Sequence, residues 1–421
     1  MGPPGQASHV PNDTANIFIA RQPIFRRDKA LFGYELLFRS GLENFFAGAD
    51  GEAATSKVIT NSFLLIGIKN LTEGKKAFIN FTQGMLVKEY PTLFPRRETV
   101  VEILENVPAV PPVLAACRSL ASQGYVLAMD DFVYTPAKLP FLEHVQIIKF
   151  DLQQQSLEEM AEVVERFRRQ KPSLRFLAEK IETESEFQAS LAMGCHFFQG
   201  YFFSRPNIVV GRDIPGSKLT YLQIIRRLQD ESYHFDQLAQ IIGRDVSLSY
   251  KLLKYVNSAA FYRPQEISSL KAAIGLLGEV HLRKWLSLMM LSYMAADKPS
   301  ELLRLSVLRA RLCELVAERG LGAEARTGEF FLVGMFSLLD AILDQPMERL
   351  LAELSLPEEL TAALLGKDNR LQHCLALVQA YEQGDWTGFL ARATSCGVDA
   401  EAFPSLYMAA IDWVRSCGLA D

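Results

Sequence analysis

Apolar and polar positions follow one rhythm up to about residue 203 and another beyond it. In the first stretch, short apolar runs alternate with longer amphipathic segments. The runs are Ile17–Ile24, Gly33–Arg39, Lys76–Thr82, Val100–Glu105, Tyr125–Phe132, Val145–Leu152, Arg175–Glu182 and His196–Phe203. Each has the length of a strand, and a strand buried on both faces reads as an apolar run. Helices are predicted over Glu52–Lys69, over Val110–Gln123 (opened by Pro111-Pro112 and ended by Gly124) and over Ser156–Arg169, which has apolar residues at 157, 160, 163, 164 and 167. Strands alternating with helices in this way predict an α/β fold, a (β/α)8 barrel of the TIM type. Phe25–Phe32 has room for a turn but not for a crossover helix, so the first strand should pair antiparallel with the second and make the barrel irregular.

Beyond residue 218 the pattern is all-α. A period of 3.6 residues runs through Leu219–Leu228, Phe235–Gly243, Ser247–Ser258, Leu270–Gly278, Leu282–Ala295, Leu302–Gly320 and Thr327–Leu343, and a further bundle is expected from Leu356. The expected organisation is a disordered lead-in over 1–16, a barrel over 17–206, a Pro/Gly-containing linker over 207–218 and a helical domain over 219–421.

Composition narrows the function classes. Of 421 residues, 49% are hydrophobic and 22% charged, which is ordinary for globular domains. A net charge of −5 gives no electrostatic reason to expect nucleic-acid binding. The six cysteines form no CxxC pair and read as free thiols of a reducing compartment. The first sixteen residues hold no apolar signal-peptide core, and the most apolar stretch, Trp285–Ala296, is too short to span a bilayer. A cytoplasmic protein without a membrane partner is expected.

Polar residues at the strand ends carry the candidate chemistry. Glu35, Asn80, Glu102 with Glu105, Asp130 with Asp131, Lys149, Glu179 with Glu182, and Gln199 come from seven successive strands. Charges do not belong in apolar strands unless paired or metal-bound, and barrel sites are assembled at strand ends by such convergence. Asp130-Asp131 alone reads either as a metal pair or as a solvated turn. The whole set favours a site, and its hard oxygen donors suit Mg²⁺ or Mn²⁺. A two-metal carboxylate site is suited to phosphodiester hydrolysis.

These residues fall into motifs that resemble the EAL domain, the bacterial cyclic-di-GMP phosphodiesterase. Glu35-Leu36-Leu37-Phe38-Arg39 stands for its Glu-Ala-Leu-x-Arg, and Gln22-Pro23-Ile24 for its Gln-Pro-Ile. Asn80, Glu102-Ile103-Leu104-Glu105, Asp130-Asp131-Phe132, Lys149-Phe150-Asp151, Glu179-Lys180-Ile181-Glu182 and Gln199-Gly200-Tyr201 follow in the family's order. The resemblance implies metal ligation by Glu35, Asn80, Glu102, Asp130 and Asp131. It implies water positioning and activation by Lys149 and Glu179, and nucleotide contacts from Gln22, Arg39 and Gln199. Glu105 and Glu182 would support the neighbouring loops.

Three positions depart from the family. Val133-Tyr134-Thr135-Pro136 replaces a glycine-containing loop that, in the family, couples the second metal to dimerisation; Leu104 replaces a threonine and Lys180 a glycine. Glycine permits positive φ where Val and Tyr do not. Lys180 reads either as a snorkelling surface lysine or as a cation that repels metal. The departures predict a degenerate EAL domain that binds cyclic-di-GMP or protein partners with weak or no hydrolysis; the alternative is an active phosphodiesterase. The changed loop also leaves the oligomeric state open between a monomer and a homodimer of another kind.

The helical half resembles the HDOD domain through Asp245-Val246-Ser247-Leu248-Ser249, Leu252-Leu253 with Asn257-Ser258-Ala259, Ile267-Ser268-Ser269-Leu270, Ala273-Ile274 and Leu277-Gly278. The related hydrolases use a His-Asp metal pair. The corresponding stretch here, Gly334 to Asp340, has no histidine, and His234 with Asp236 is spaced wrongly for one. This half is expected to be a non-catalytic output module that meets protein partners, with Asn257-Ser258 ending a helix.

Overall fold

The computed structural model describes residues 17–40, 68–204, 216–228, 235–257, 267, 269–320, 327–354 and 356–417. The expected lead-in, most of the linker, the helix over Glu52–Lys69 up to residue 67, and His234 lie outside these residues. Eight strands close into a barrel in sequence order: β1 (Ile17–Arg26), β2 (Leu31–Ser40), β3 (Lys76–Phe81), β4 (Thr99–Ile103), β5 (Val126–Met129), β6 (Ile147–Asp151), β7 (Arg175–Glu179) and β8 (Phe197–Phe198). β1 runs antiparallel to both neighbours, and every other pair is parallel. The turn between β1 and β2 closes through Arg26 N–H to the Ala30 carbonyl at 2.8 Å.

Side chains alternate along a strand with a period of two, so residues i and i+2 share a face. Ile24, Phe78, Val100, Ala128, Ile147 and Leu177 form one buried apolar layer inside the barrel. Two residues further along β3 to β7 come Asn80, Glu102, Asp130, Lys149 and Glu179. The same alternation that lays an apolar floor therefore places a polar storey directly above it, at the carboxyl ends of the strands.

The strands stop earlier than their apolar runs. β5 ends before Asp130, β7 ends at Glu179, and β8 spans only two residues. Backbone conformation explains the difference: Asp131, Lys180 and Gly200 have φ of 38°, 56° and 150°, outside the strand region. Glu105, Asp130, Asp131, Glu182 and Gln199 thus sit on the loops that leave the strands, not within them. Outside the barrel, the helix Pro111–Ser122 begins on its two prolines, and Leu157–Gln170 opens with a capping box between Ser156 and Glu159.

In the helical region, Leu270–Met294 is broken at Gly278 (φ 67°, ψ 172°), which gives the two predicted arms. Asn257 ends the helix Val246–Val256 and exchanges two 2.8 Å hydrogen bonds with the Ile267 backbone. The single helix expected over Thr327–Leu343 is two, Thr327–Phe336 and Leu339–Leu343. Ser337 ends the first by donating its hydroxyl to the Gly334 carbonyl at 2.7 Å, a local bond that competes with helix continuation. The helices Glu358–Leu364, Arg370–Gln383, Trp386–Ser395 and Phe403–Ser416 follow.

No crossover helix follows β1, and the helical region packs on that strand instead. Phe18 and Ala20 share a buried core with the helices, and the Phe18 ring lies 6.0 Å from Trp386 and 5.8 Å from Phe389. Charges cross the same junction. Arg21 donates to the Leu71 carbonyl at 2.6 Å and pairs with Glu73 at 3.1 Å, while Arg304 also pairs with Glu73. Tyr34 donates to Glu301 at 2.9 Å. Burial pushes the Glu301 carboxyl up to about 7, against the opposing pull of Arg21 and the Tyr34 hydroxyl. Among the described residues, no helix is long and apolar enough to cross a membrane.

Candidate metal and ligand site at the barrel mouth

Lys149 is the hub of the polar storey. Its side chain is fully buried, and its ammonium nitrogen lies 2.6 Å from Glu102, 2.7 Å from Asp130, 2.8 Å from Glu179 and 3.6 Å from Glu35. Burial alone would pull this ammonium down, but the four carboxylates outweigh it and hold it well above the ordinary lysine range. One cation does not balance the set. Burial pushes Glu102 and Glu179 well above the usual carboxylate range; Lys149 opposes this, and Glu35 and Asp130 add to it. Asp131 is raised by burial and by Asp130, with Lys180 opposing.

Hydrogen bonds place the remaining members. Gln199 donates to Glu35 at 2.8 Å and to the Gln22 side-chain amide oxygen at 2.9 Å, and Asn80 donates to Glu35 at 3.2 Å. Gly200 lets the chain turn immediately after Gln199: a Cβ there would lie 2.3 Å from the Ile181 backbone. Gln154 bridges Asp131 at 3.0 Å and Asp151 at 2.9 Å, and Gln155 donates to the Phe132 carbonyl at 2.7 Å.

The donor set fits a divalent cation. It consists of hard oxygens, as Mg²⁺ and Mn²⁺ require. Glu102 Oε2 and Asn80 Oδ1 are buried without a partner, while Glu102 Oε1 meets the Lys149 ammonium at 2.6 Å. Oxygens of Asp130, Asp131 and Glu179 lie within 4.8 Å of one another, the one such grouping of three metal-ligating side chains among the described residues. No matching group stands in the described part of the helical region.

Two departures look different in three dimensions. Val133 and Tyr134 do not have positive φ, so the loop they occupy does not require glycine. Tyr134 packs at 6.1 Å from the Phe167 ring and carries the Arg166 guanidinium at 4.7 Å. Lys180 does have positive φ, where glycine would be unstrained, and it pairs with the buried Asp151 at 2.6 Å. That ion pair offsets the backbone strain and neutralises a carboxylate beneath the site.

Not every expected residue joins. Glu105 is exposed on the turn after β4 and does not line the site cavity; its charge instead acts on Lys138. Glu182 lines the cavity and accepts from Gln153 at 3.1 Å. Arg39 pairs with Phe18 in the β1–β2 register, and its side chain lies outside the described residues. The cavity above the cluster has a volume of about 460 Å³, within the range of small-ligand sites. Leu305, Arg309, Glu382 and Gln383 of the helical region line it too. Sequence reading missed them because a wall supplied from another domain leaves no local pattern. The one trace is a charge on an otherwise buried helix face, at Arg309 and Glu382.

Comparison with known proteins identifies the two halves of the chain. The EAL domain family matches residues 70–206 and the HDOD domain family matches 214–348. The chain belongs to the proteins that join an EAL domain to an HDOD domain. It is 36% identical over 408 residues to an uncharacterised protein, YuxH of Bacillus subtilis, covering 95% of this chain and 98% of the relative. It is also 36% identical over 400 residues to the cyclic di-GMP phosphodiesterase CdgJ of Vibrio cholerae, covering 95% and 92%. A solved Klebsiella pneumoniae BlrP1 complex with calcium and cyclic-di-GMP is 22% identical, with a TM-score of 0.39 over 48% of this chain and 58% of that one, a likeness too low to bear on function.

Proposed function

We propose that this protein is a metal-dependent phosphodiesterase that opens cyclic-di-GMP to the linear dinucleotide. The observation that carries the reading is the ring of buried oxygen donors around Lys149, with Glu102 Oε2 and Asn80 Oδ1 lacking partners. Glu35, Asn80, Glu102, Asp130 and Asp131 would hold Mg²⁺ or Mn²⁺, which supplies Lewis acidity toward a phosphoryl oxygen and lowers the pKa of a water. Glu179, raised by burial and buffered by Lys149, is placed to take up a proton. Lys149 holds three carboxylates at fixed distances and limits their repulsion. Gln22, Gln199 and Arg39 orient the nucleotide. The helical domain, with no histidine between Gly334 and Asp340, serves as an output module for protein partners.

A second reading, binding without hydrolysis, is favoured by the replaced loop at 133–136 and by the cation at Lys180. Incubation of the purified full chain with cyclic-di-GMP and Mn²⁺, beside Glu35→Ala, separates the two. Linear product from the parent alone supports the enzyme. Tight binding without product in either protein supports the second reading, and neither binding nor product rejects both.

A further inference from the structure

The barrel does not close its own cavity. Arg309 from Ser300–Gly320 and Glu382 from Arg370–Gln383 complete the wall, and Gln22 donates to the Gln383 carbonyl at 3.3 Å. Glu382 is only 8% exposed. Its Oε2 accepts from Arg309 Nε at 2.9 Å, and a second guanidinium nitrogen lies at the same distance. Arg309 in turn donates to the Ser337 hydroxyl at 3.2 Å, which fixes the fork. The other oxygen, Oε1, is buried and has no hydrogen-bond partner. Buried carboxylate oxygens are rarely left unpaired, and one that lines a ligand cavity calls for a donor from the ligand.

Donor and acceptor character decides which part of a ligand comes here. A free carboxylate oxygen accepts and cannot donate, so it calls for an N–H donor, which a base supplies and an ionised phosphate does not. Guanine presents two adjacent donors, N1–H and the 2-amino group, and an ionised carboxylate is an acceptor only. Burial raises the Glu382 carboxyl above its usual range, and the Arg309 guanidinium at 2.9 Å opposes that shift. We infer that Glu382, held by Arg309, reads a guanine of the bound cyclic dinucleotide, so that the helical domain supplies base specificity to the barrel's site. The inference rests on the proposal that this cavity takes cyclic-di-GMP. It assigns a ligand contact to a residue beyond the stretch matched by the HDOD family, which ends at 348.

The test compares cyclic-di-GMP with cyclic-di-IMP, which lacks only the 2-amino groups, by calorimetry on the full chain with Ca²⁺ present. The parent should prefer the guanine ligand by about tenfold or more, the discrimination expected when a charged acceptor loses its donor. Glu382→Gln should bring the two affinities within about twofold of each other while Mn²⁺ binding is kept. A merely structural role would weaken both ligands equally, and that result overturns the inference. Glu382→Asp retains the charge for Arg309 but withdraws the carboxylate, and serves if the glutamine variant does not fold; undiminished preference in it also overturns the inference. A parent that binds neither nucleotide rejects the functional proposal itself. A parent that binds both equally rejects the base contact alone.

Discussion

Replacing Glu102 with glutamine should stabilise the metal-free protein and abolish its response to divalent cations. Glu102 is fully buried; its Oε1 meets Lys149, and its Oε2 has no partner. Burial raises its pKa well above the usual range despite Lys149 at 2.6 Å, so the folded protein penalises the ionised form. A glutamine has nearly the same shape and removes that charge. Its amide can donate to the neighbouring Glu35 or Asp130, while Lys149 keeps Asp130 at 2.7 Å and Glu179 at 2.8 Å. Relief of one buried, unpaired acceptor is worth about 1–3 kcal/mol. The sign follows from linkage. A carboxylate whose folded pKa is raised contributes stability below its unfolded value of about 4.3, and that contribution is lost as pH rises toward the folded value. The variant should therefore match the parent near pH 4 and exceed it by about 1–3 kcal/mol at pH 8 in urea unfolding with EDTA present. With Mn²⁺, the order should reverse, because the cation stabilises only the protein that keeps its ligand. A difference independent of pH, or a variant less stable than the parent at pH 8 without metal, would refute the reasoning.

Other outcomes follow from the same geometry. Lys180→Gly should change stability by less than about 1 kcal/mol, because relief of the φ of 56° offsets loss of the Asp151 pair; Lys180→Ala gains little relief and should cost about 1–3 kcal/mol, both read from urea midpoints. Gly200→Ala places a methyl 2.3 Å from the Ile181 backbone and should cost more than about 2 kcal/mol while displacing Gln199; nucleotide affinity should fall with it, and an unchanged melting curve would contradict this. Glu301, raised to about 7 by burial, should weaken the junction between barrel and helices as pH rises from about 4.5 through 7. In Glu301→Gln that part of the pH dependence should vanish from melts recorded between pH 5 and 8.5.

Much of this architecture could be read from period alone. Eight apolar runs located the strands, and the short Phe25–Phe32 interval foretold the antiparallel β1. The polar storey was equally legible, because Asn80, Glu102, Asp130, Lys149 and Glu179 each stand two residues beyond an apolar floor residue. What period could not reveal was backbone conformation. The runs through Asp131 and Lys180 continue as apolar patterns while the chain has already left the sheet at positive φ. Nor could it reveal partners distant in sequence. Lys180 reads as a surface lysine or as a cation that repels metal, and neither reading contains Asp151, 2.6 Å away. Glu382 lies 347 positions from Glu35, and the junction around Phe18, Trp386 and Phe389 brings both to one cavity.

That aromatic contact also bears on how the protein can be divided. A chain stopped at residue 206 would present Phe18, Ala20 and Leu37 to water, together with Arg21 and Tyr34 stripped of their partners on the helices. Bared apolar surface of this kind promotes self-association. Excised barrels should be sticky and poor reporters of the whole protein. For the same reason, a gene that exchanged its second half for an unrelated domain would have to repaint the outer face of its first strand.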